Sequence, residues 1–251
     1  MLLSQPDGPV HRLVLDRPSR RNALTPELAR ALAAEIDRIG DAAVAQVIVL
    51  SGSGGHFSAG LDLHWLRSLG AVPAVSNLQH GLSDFQSAVL AVVRCPIPVV
   101  AALRGTAAGF GLDLALACDF RIAGTSASLT SAFARMGLVP DGGSTFTLPR
   151  LSGVGHAMRF LMAGETLDAA RARTVGLVDD VVEDDALDAE IDRVTLGLAS
   201  AAPGSLRAIK RLVRAPELGA LEQALAAEGA AQLQALQGAE FRRRLEAFAA
   251  R

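Results

Sequence analysis

The sequence predicts an α/β fold, and three observations lead to this prediction. Short apolar segments typical of buried strands recur at residues 10–15, 46–50, 98–103, 119–122 and 177–182. Segments with helical periodicity lie between most of them. From about Asp184 the strand-like segments stop, and the rest of the chain is rich in alanine, leucine, glutamate and arginine. We therefore expect a strand-bearing core over residues 1–183 and a helical region over residues 184–251.

The first helix has the clearest boundaries in the sequence. Thr25 is a suitable N-cap, and Pro26 suits the first turn. One apolar stripe follows before Gly40: Leu28, Leu32, Ile36 and Ile39. A second helical segment covers about 82–93.

The helical tail shows interruptions near Pro203, Pro216 and Gly238. Small apolar residues occupy several of its faces. Such a tail either contacts a neighbouring subunit or folds back on its own core.

Composition excludes several classes of protein. The formal net charge is -2 and there is no tyrosine, so we expect no nucleic-acid surface. The two cysteines lack CxxC spacing, which favours free thiols in a reducing cytoplasm. We expect neither a signal peptide nor a membrane span. The five histidines show no HxxxH or HExxH spacing, so no metal site is predicted.

Three segments contain residues that could form a binding or catalytic site. The first is His56-Phe-Ser-Ala-Gly-Leu-Asp-Leu63, which directly follows a predicted strand and a glycine-rich turn. Small residues let the backbone approach a ligand closely, and free amides there can donate to an anion. The alternative interpretation is a flexible surface loop.

The second segment is a glycine turn that opens a helix near Phe110. A helix N-terminus presents free amides and a partial positive charge. Asp113 lies in the first turn among apolar neighbours. Its carboxylate either complements the helix dipole or projects into a site, and a buried unpaired charge is costly enough to favour the site.

The third segment runs over residues 137–144 and contains Pro-Asp-Gly-Gly, with Asp141 as its acid. Turn and cap chemistry favours this composition whatever the function. Composition alone therefore leaves a structural and a catalytic role of Asp141 equally open.

In this order, the segments resemble the crotonase superfamily, the enoyl-CoA hydratase/isomerase group. Asp16-Arg-Pro-Ser-Arg-Arg-Asn-Ala-Leu24 is similar to its early CoA-contacting segment, and residues 97–150 to its central signature. The resemblance implies a crotonase-like spiral of ββα units, a helical C-terminal trimerisation region, and homotrimers or hexamers. It also implies that the amides of Leu61 and Phe110 hold a thioester oxygen.

The acids distinguish the possible reactions within this resemblance. The two glutamates of the hydratases fall on Asp113 and Phe133, and a phenyl group cannot activate water. Asp141 resembles the base of the enoyl-CoA isomerases. The resemblance therefore implies a double-bond shift from position 3 to position 2, through an enolate held by the oxyanion hole, with Asp141 as base and Asp113 as second acid.

For the CoA part of the substrate, the resemblance suggests backbone contacts near Ala59 and Gly60. Arg17 and Arg21, with Arg20, are the local cations, and Lys210 is the only lysine. We expect no metal and no cofactor besides the CoA of the acyl-CoA thioester.

Two alternative functions stay open, and the sequence does not identify the acyl group of the substrate. A 2-enoyl-CoA hydratase would require another acid, with Asp62 as the candidate. A non-catalytic acyl-CoA-binding or scaffold member would bind ligand without turnover. The identity of the acyl group depends on loop residues over 65–73.

Overall fold

The computed structural model describes residues 1–42, 44–70 and 74–249, and it contains a large and a small β-sheet. The nine strands in the described residues are β1 (Leu2–Asp7), β2 (Val10–Leu15), β3 (Val47–Gly52), β4 (Val99–Leu103), β5 (Thr106–Ala108), β6 (Phe120–Gly124), β7 (Ser128–Thr130), β8 (Thr166–Asp168) and β9 (Asp180–Val182). The large sheet has the order β1-β2-β3-β4-β6-β9, and the small sheet has the order β5-β7-β8. In the large sheet only the β1–β2 pair is antiparallel.

Helices connect the strands and form the C-terminal region. Within the described ranges the α-helices are α1 (Pro26–Ala42), α2 (Leu63–Ser68), α3 (Val75–Arg94), α4 (Phe110–Ala117), α5 (Ser144–Ser152), α6 (Val154–Ala163), α7 (Ala169–Thr174), α8 (Leu187–Ala199), α9 (Pro203–Gln237) and α10 (Ala239–Ala249). Thr25 accepts a hydrogen bond from the Leu28 amide, which confirms the predicted start of α1. No helix in these ranges has the length and apolar character needed to span a membrane.

The central strands of the large sheet are apolar on both faces because helices cover both. Ile48 and Leu50 of β3 face the main core with α1 and α3. Val47 and Val49 face the opposite side and join a second cluster that includes Leu187 of α8. A parallel sheet covered on both faces reads as a continuous apolar run, which is the pattern the sequence shows.

The chain winds through the two sheets as a spiral. After β4 it enters the small sheet as β5 and continues into α4; after β6 it enters as β7 and leads on towards α5. After β3 it makes a single bridge from Ser58 to Ala107 of β5 before α2. Consecutive turns therefore stack their strand-to-helix junctions side by side, and this stacking creates the site.

Most predicted strands and helices are confirmed. The bounds of two helices differ from the prediction. α3 begins at Val75, earlier than predicted, and α9 continues through Pro216. A proline within a helix costs about 3 kcal/mol. Packing on both sides of Pro216 offsets this cost: Lys210 is buried before it, and Leu221 and Leu225 after it. The predicted break at Gly238 is confirmed.

Candidate active site

The segment His56–Leu63 and the glycine turn before Phe110 lie side by side and are hydrogen-bonded to each other. The Ser58 amide donates to the Thr106 carbonyl at 3.0 Å, and the Ala108 amide donates to the Ser58 carbonyl at 2.9 Å. Ser58 therefore pairs with Ala107. Leu61 and Phe110 follow this pair at the same distance along their chains, so they occupy equivalent places in neighbouring turns of the spiral.

The backbone amides of Leu61 and Phe110 are available to a ligand. Within the described residues, neither amide donates a hydrogen bond to the protein. Phe110 is the first residue of α4, where no preceding turn supplies an acceptor. Gly60 has a φ of +86°, and a Cβ there would lie 2.5 Å from the Ala108 carbonyl oxygen and 3.1 Å from the Phe110 nitrogen. This close backbone approach suits two donors to one oxygen, as in an oxyanion hole.

The Phe110 side chain points into the core. Its ring centroid lies 4.8 Å from that of Phe85, and only 2% of the residue is exposed. Gly142 provides the space for it, since a Cβ there would lie 3.0 Å from the Phe110 ring. Because the bulky side chain is accommodated in the core, α4 still begins at Phe110 directly after the glycine turn.

Asp113 is buried and contacts the third segment. Its Oδ2 accepts a hydrogen bond from the Gly142 amide at 3.1 Å, while its buried Oδ1 has no partner in the described part of the chain. Burial, followed by the charges of Glu228 and Asp141, raises the pKa of Asp113 well above its ordinary value. Asp113 therefore favours the protonated, neutral form.

Asp141 is also buried, with one oxygen held and one unpartnered. Gln232 Nε2 donates to its Oδ2 at 3.1 Å, and Oδ1 is without a partner among the described residues. Burial raises the pKa of Asp141 to about 7, although the Gln232 hydrogen bond acts in the opposite direction. A carboxyl group with a pKa near neutrality can both accept and return a proton.

Glu228 and Gln232 of α9 were missed by the sequence analysis. Both are buried beside the aspartates. The inner face of α9 has leucine at positions 221 and 225, and the same helical spacing then reaches Glu228 and Gln232. This interruption of an apolar stripe by polar residues is the signal that could have identified them.

The sequence profile described as "Enoyl-CoA hydratase/isomerase" matches residues 7–251. This chain belongs to the enoyl-CoA hydratase/isomerase family. It is 32% identical over 251 residues to the 1,2-epoxyphenylacetyl-CoA isomerase of Escherichia coli K12, covering 100% of this chain and 95% of that protein. It is 28% identical over 228 residues to the peroxisomal Delta(3,5)-Delta(2,4)-dienoyl-CoA isomerase of Arabidopsis thaliana, covering 87% and 82%.

A solved structure agrees with this family assignment. The crystal structure of enoyl-CoA hydratase from Bacillus halodurans matches with a TM-score of 0.92 and 26% identity, covering 98% of this chain and 99% of that one. The fold is thus that of the crotonase superfamily, with a helical C-terminal region. The chain is an enzyme of this family, whose members act on CoA thioesters, and the relatives include both hydratases and isomerases.

Phe133 forms part of an apolar wall beside the turn at Gly109 and Phe110. It is buried with Leu66, Leu138 and Phe241. The tip of its ring lies 3.9 Å from the place that a Cβ on Gly109 would occupy. The family position expected for a second acid therefore presents a phenyl group next to the Phe110 turn.

Asp62 and Arg17 form an ion pair at the start of α2. Asp62 Oδ1 accepts from the amides of His64 and Trp65, and Oδ2 contacts Arg17 Nη2 at 2.6 Å. Burial alone would raise the pKa of Asp62, but the hydrogen bonds from Arg17 and the two amides hold it below its ordinary value. Asp62 is thus an ionised helix cap, and both of its oxygens are engaged.

The other residues expected to contact CoA lie in two different places. Arg21 is exposed, and its carbonyl accepts from the Ala59 amide at 2.8 Å, so these two residues lie together next to Gly60. Lys210 is buried, and its Nζ contacts the carbonyls of Val92 and Ile97.

The same Lys210 ammonium also lies 2.7 Å from Asp119 Oδ2. These three acceptors match the three protons of the ammonium group. Lys210 was expected to contact CoA, but in this arrangement its three protons are engaged with two carbonyls and the Asp119 carboxylate, so it is part of a buried structural ion pair. Only part of the loop expected to determine acyl specificity can be placed, since Ala71–Pro73 lie outside the described residues.

Proposed function

We propose that this enzyme shifts the double bond of a 3-enoyl-CoA to position 2, with Asp141 as the base. Asp141 takes a proton from C2, the electrons move to the thioester oxygen, and the amides of Leu61 and Phe110 stabilise the resulting enolate. The same carboxyl group then returns the proton at C4. One proton is removed and one is returned, so the step needs no external acid or oxidant.

The observation that carries the proposal is the state of the Asp141 carboxyl group. One oxygen is fixed by Gln232, the other is buried without a partner among the residues that the structure describes, and the pKa is about 7. A base that must also act as an acid works best with a pKa near the operating pH. Asp113, whose pKa is raised by burial and by the neighbouring charges of Glu228 and Asp141, is proposed as the second acid beside it.

Hydration of a 2-enoyl-CoA is less well supported. Phe133 occupies the position of the second acid and offers no group that can orient water. Asp62, the candidate replacement, is engaged with Arg17 and with the cap of α2. The names of two relatives that match most of the chain, an epoxyphenylacetyl-CoA isomerase and a dienoyl-CoA isomerase, also favour isomerisation.

For the CoA part of the substrate we propose contacts with the backbone at Ala59 and Gly60 and with the side chain of Arg21. Arg21 is exposed directly beside this loop. Arg17 contributes by holding Asp62 and thereby the start of α2. No cofactor besides the substrate's own CoA enters the proposed reaction.

We also propose a cytoplasmic homotrimer or hexamer. The buried free thiols of Cys95 and Cys118 fit a reducing compartment. Two helices carry exposed apolar side chains that suit a subunit contact: Val154, Met158 and Met162 on α6, and Ile209, Leu212 and Val213 on α9. Light scattering coupled to size exclusion would measure the mass of the assembly.

A substrate panel tests the proposed reaction. Wild type, Asp141→Asn and Asp113→Asn would each be incubated with 2-enoyl-, 3-enoyl- and 3,5-dienoyl-CoA, with products separated by chromatography. We expect wild type to convert 3-enoyl-CoA into 2-enoyl-CoA and Asp141→Asn to lose about 10²- to 10⁴-fold in kcat. Asp185→Asn, at an exposed position, is the matched control and should keep wild-type activity.

Two outcomes of the panel would overturn the proposal. Efficient hydration of 2-enoyl-CoA by wild type, matched by Asp141→Asn, would identify a hydratase that uses another acid. Tight binding of the acyl-CoA thioesters with no turnover by any variant would identify a non-catalytic member.

A further inference from the structure

We propose that Gln232 and Glu228 are positioning residues through which α9 controls the Asp141–Asp113 pair. Gln232 fixes which Asp141 oxygen is free, and Glu228 holds the turn that joins the two aspartates and places a negative charge beside them. The effect on rate rests on the proposed function. The effect on the aspartates themselves does not depend on any reaction.

The orientation of the Gln232 amide is determined by contacts at both of its ends. Its Oε1 accepts a hydrogen bond from the Val139 amide at 3.1 Å. Because a backbone N–H can only donate, the oxygen must lie on that side, and the NH₂ group must face Asp141. Gln232 therefore donates to Asp141 Oδ2 and leaves Oδ1 as the oxygen available for proton transfer.

The main chain of Asp141 is held by a different helix. Gln86 of α3 donates from Nε2 to the Asp141 carbonyl at 3.3 Å and to the Leu225 carbonyl at 2.7 Å. Asp141 is thus fixed at its backbone by α3 and at its carboxyl group by α9. This arrangement restricts the aspartate to one orientation relative to the Leu61 and Phe110 amides.

Glu228 holds the turn that follows Asp141. It accepts from the Gly143 amide at 2.7 Å, and from the Thr145 amide and hydroxyl at 2.8 Å and 2.5 Å. These donors lie at the N-terminus of α5, where a negative charge is stabilised by the helix dipole. The Gly142 amide, within the same turn, donates to Asp113. One glutamate thus supports the contacts of both aspartates.

The charges around the pair act in opposite directions. The groups that act on Asp141 and Asp113 include Glu228 and Gln232 from α9, the Gly142 amide and the Ser144 hydroxyl at the start of α5, and the two carboxyl groups themselves. In the part of the chain that the structure describes, no lysine or arginine pairs with any of the three carboxyl groups. The Gln232 donor favours the charged form of Asp141, whereas the Glu228 charge disfavours it.

A titration without substrate tests this inference. Infrared spectra of the full chain, ¹³C-labelled at aspartate, would follow carboxyl protonation with pH, and subtraction of the Asp141→Asn spectrum would identify the Asp141 signal. We expect Gln232→Met to raise the Asp141 midpoint by about one pH unit, the equivalent of one lost hydrogen bond. Glu228→Gln should lower the midpoint by a similar amount.

Three further variants separate positioning from general disruption. Gln232→Glu keeps an acceptor for the Val139 amide and adds a charge, so it should raise the midpoint further than Gln232→Met. Thr145→Val loosens the Glu228 contact without removing its charge, so it should not reproduce the downward shift. Gln234→Leu, at an exposed position two residues along α9, should leave the midpoint unchanged.

The outcomes distinguish this inference from the proposed reaction. If the midpoint moves in opposite directions for Gln232→Met and Glu228→Gln, the inference stands even where 3-enoyl-CoA is not isomerised. If both variants titrate as wild type does, the inference is wrong even where Asp141→Asn abolishes isomerisation. In an active isomerase the acid limb of kcat/KM should shift with the midpoint, whereas a purely structural role would reduce kcat without moving the limb.

Discussion

Replacing Asp141 by asparagine should make the protein more stable at alkaline pH while removing its activity. The pKa of Asp141 rises from an ordinary value of 3.8 to about 7 in the folded chain, chiefly because the side chain is buried. The folded state therefore binds this proton more tightly than the unfolded state does. The stability associated with the proton is fully present below pH 3.8 and is lost as the pH rises to about 7.

The size of the effect follows from the same two pKa values. Each tenfold change in the proton equilibrium corresponds to about 1.4 kcal/mol. The loss in free energy of unfolding above pH 7 is therefore about 4 kcal/mol for this one carboxyl group. Asparagine does not titrate, and its side-chain oxygen can still accept from Gln232, so Asp141→Asn avoids the loss.

Urea unfolding at a series of pH values, at one fixed protein concentration, measures this difference. The unfolding free energy of Asp141→Asn minus that of wild type should increase between pH 4 and pH 7 and then stay constant. Asp185→Asn controls for the loss of one carboxylate at an exposed position and should run parallel to wild type. Parallel curves for Asp141→Asn and wild type would refute the argument that Asp141 is a buried carboxyl group with a pKa near neutrality.

Two further predictions concern the close backbone approach at Gly60 and the buried Lys210. Gly60→Ala should lower kcat about 10²- to 10³-fold, because its Cβ would collide with the Ala108 carbonyl; Gly55→Ala, with a similar positive φ but open space, should not. If both variants lose activity equally, backbone strain rather than the close approach is responsible. Lys210→Met should lower the free energy of unfolding by about 1–3 kcal/mol, because it leaves the carbonyls of Val92 and Ile97 without this donor while Arg214 still pairs with Asp119. The KM of its folded fraction for acyl-CoA should be unchanged, and a large rise in KM would instead indicate that Lys210 contacts the CoA part of the substrate.

Local sequence signals predicted much of the core and the site. The alternation of apolar residues identified β2 with its observed bounds, and the glycine turn predicted a helix that begins near Phe110, where α4 starts. Strands β5, β7 and β8 were missed because three residues are too few to show a period. β1 was missed because it is a largely exposed edge strand.

By itself, the sequence determined the α/β class and the family, and it identified the aspartates at positions 113 and 141 as candidates, because each inference depends on residue type and spacing within short segments. Only the tertiary structure decided what surrounds them. Gln232 and Asp141 are separated by 91 positions and Glu228 and Gly143 by 85, so no local pattern relates them. Lys210 shows the converse: its charge is visible in the sequence, but its three buried acceptors arise only when distant segments pack.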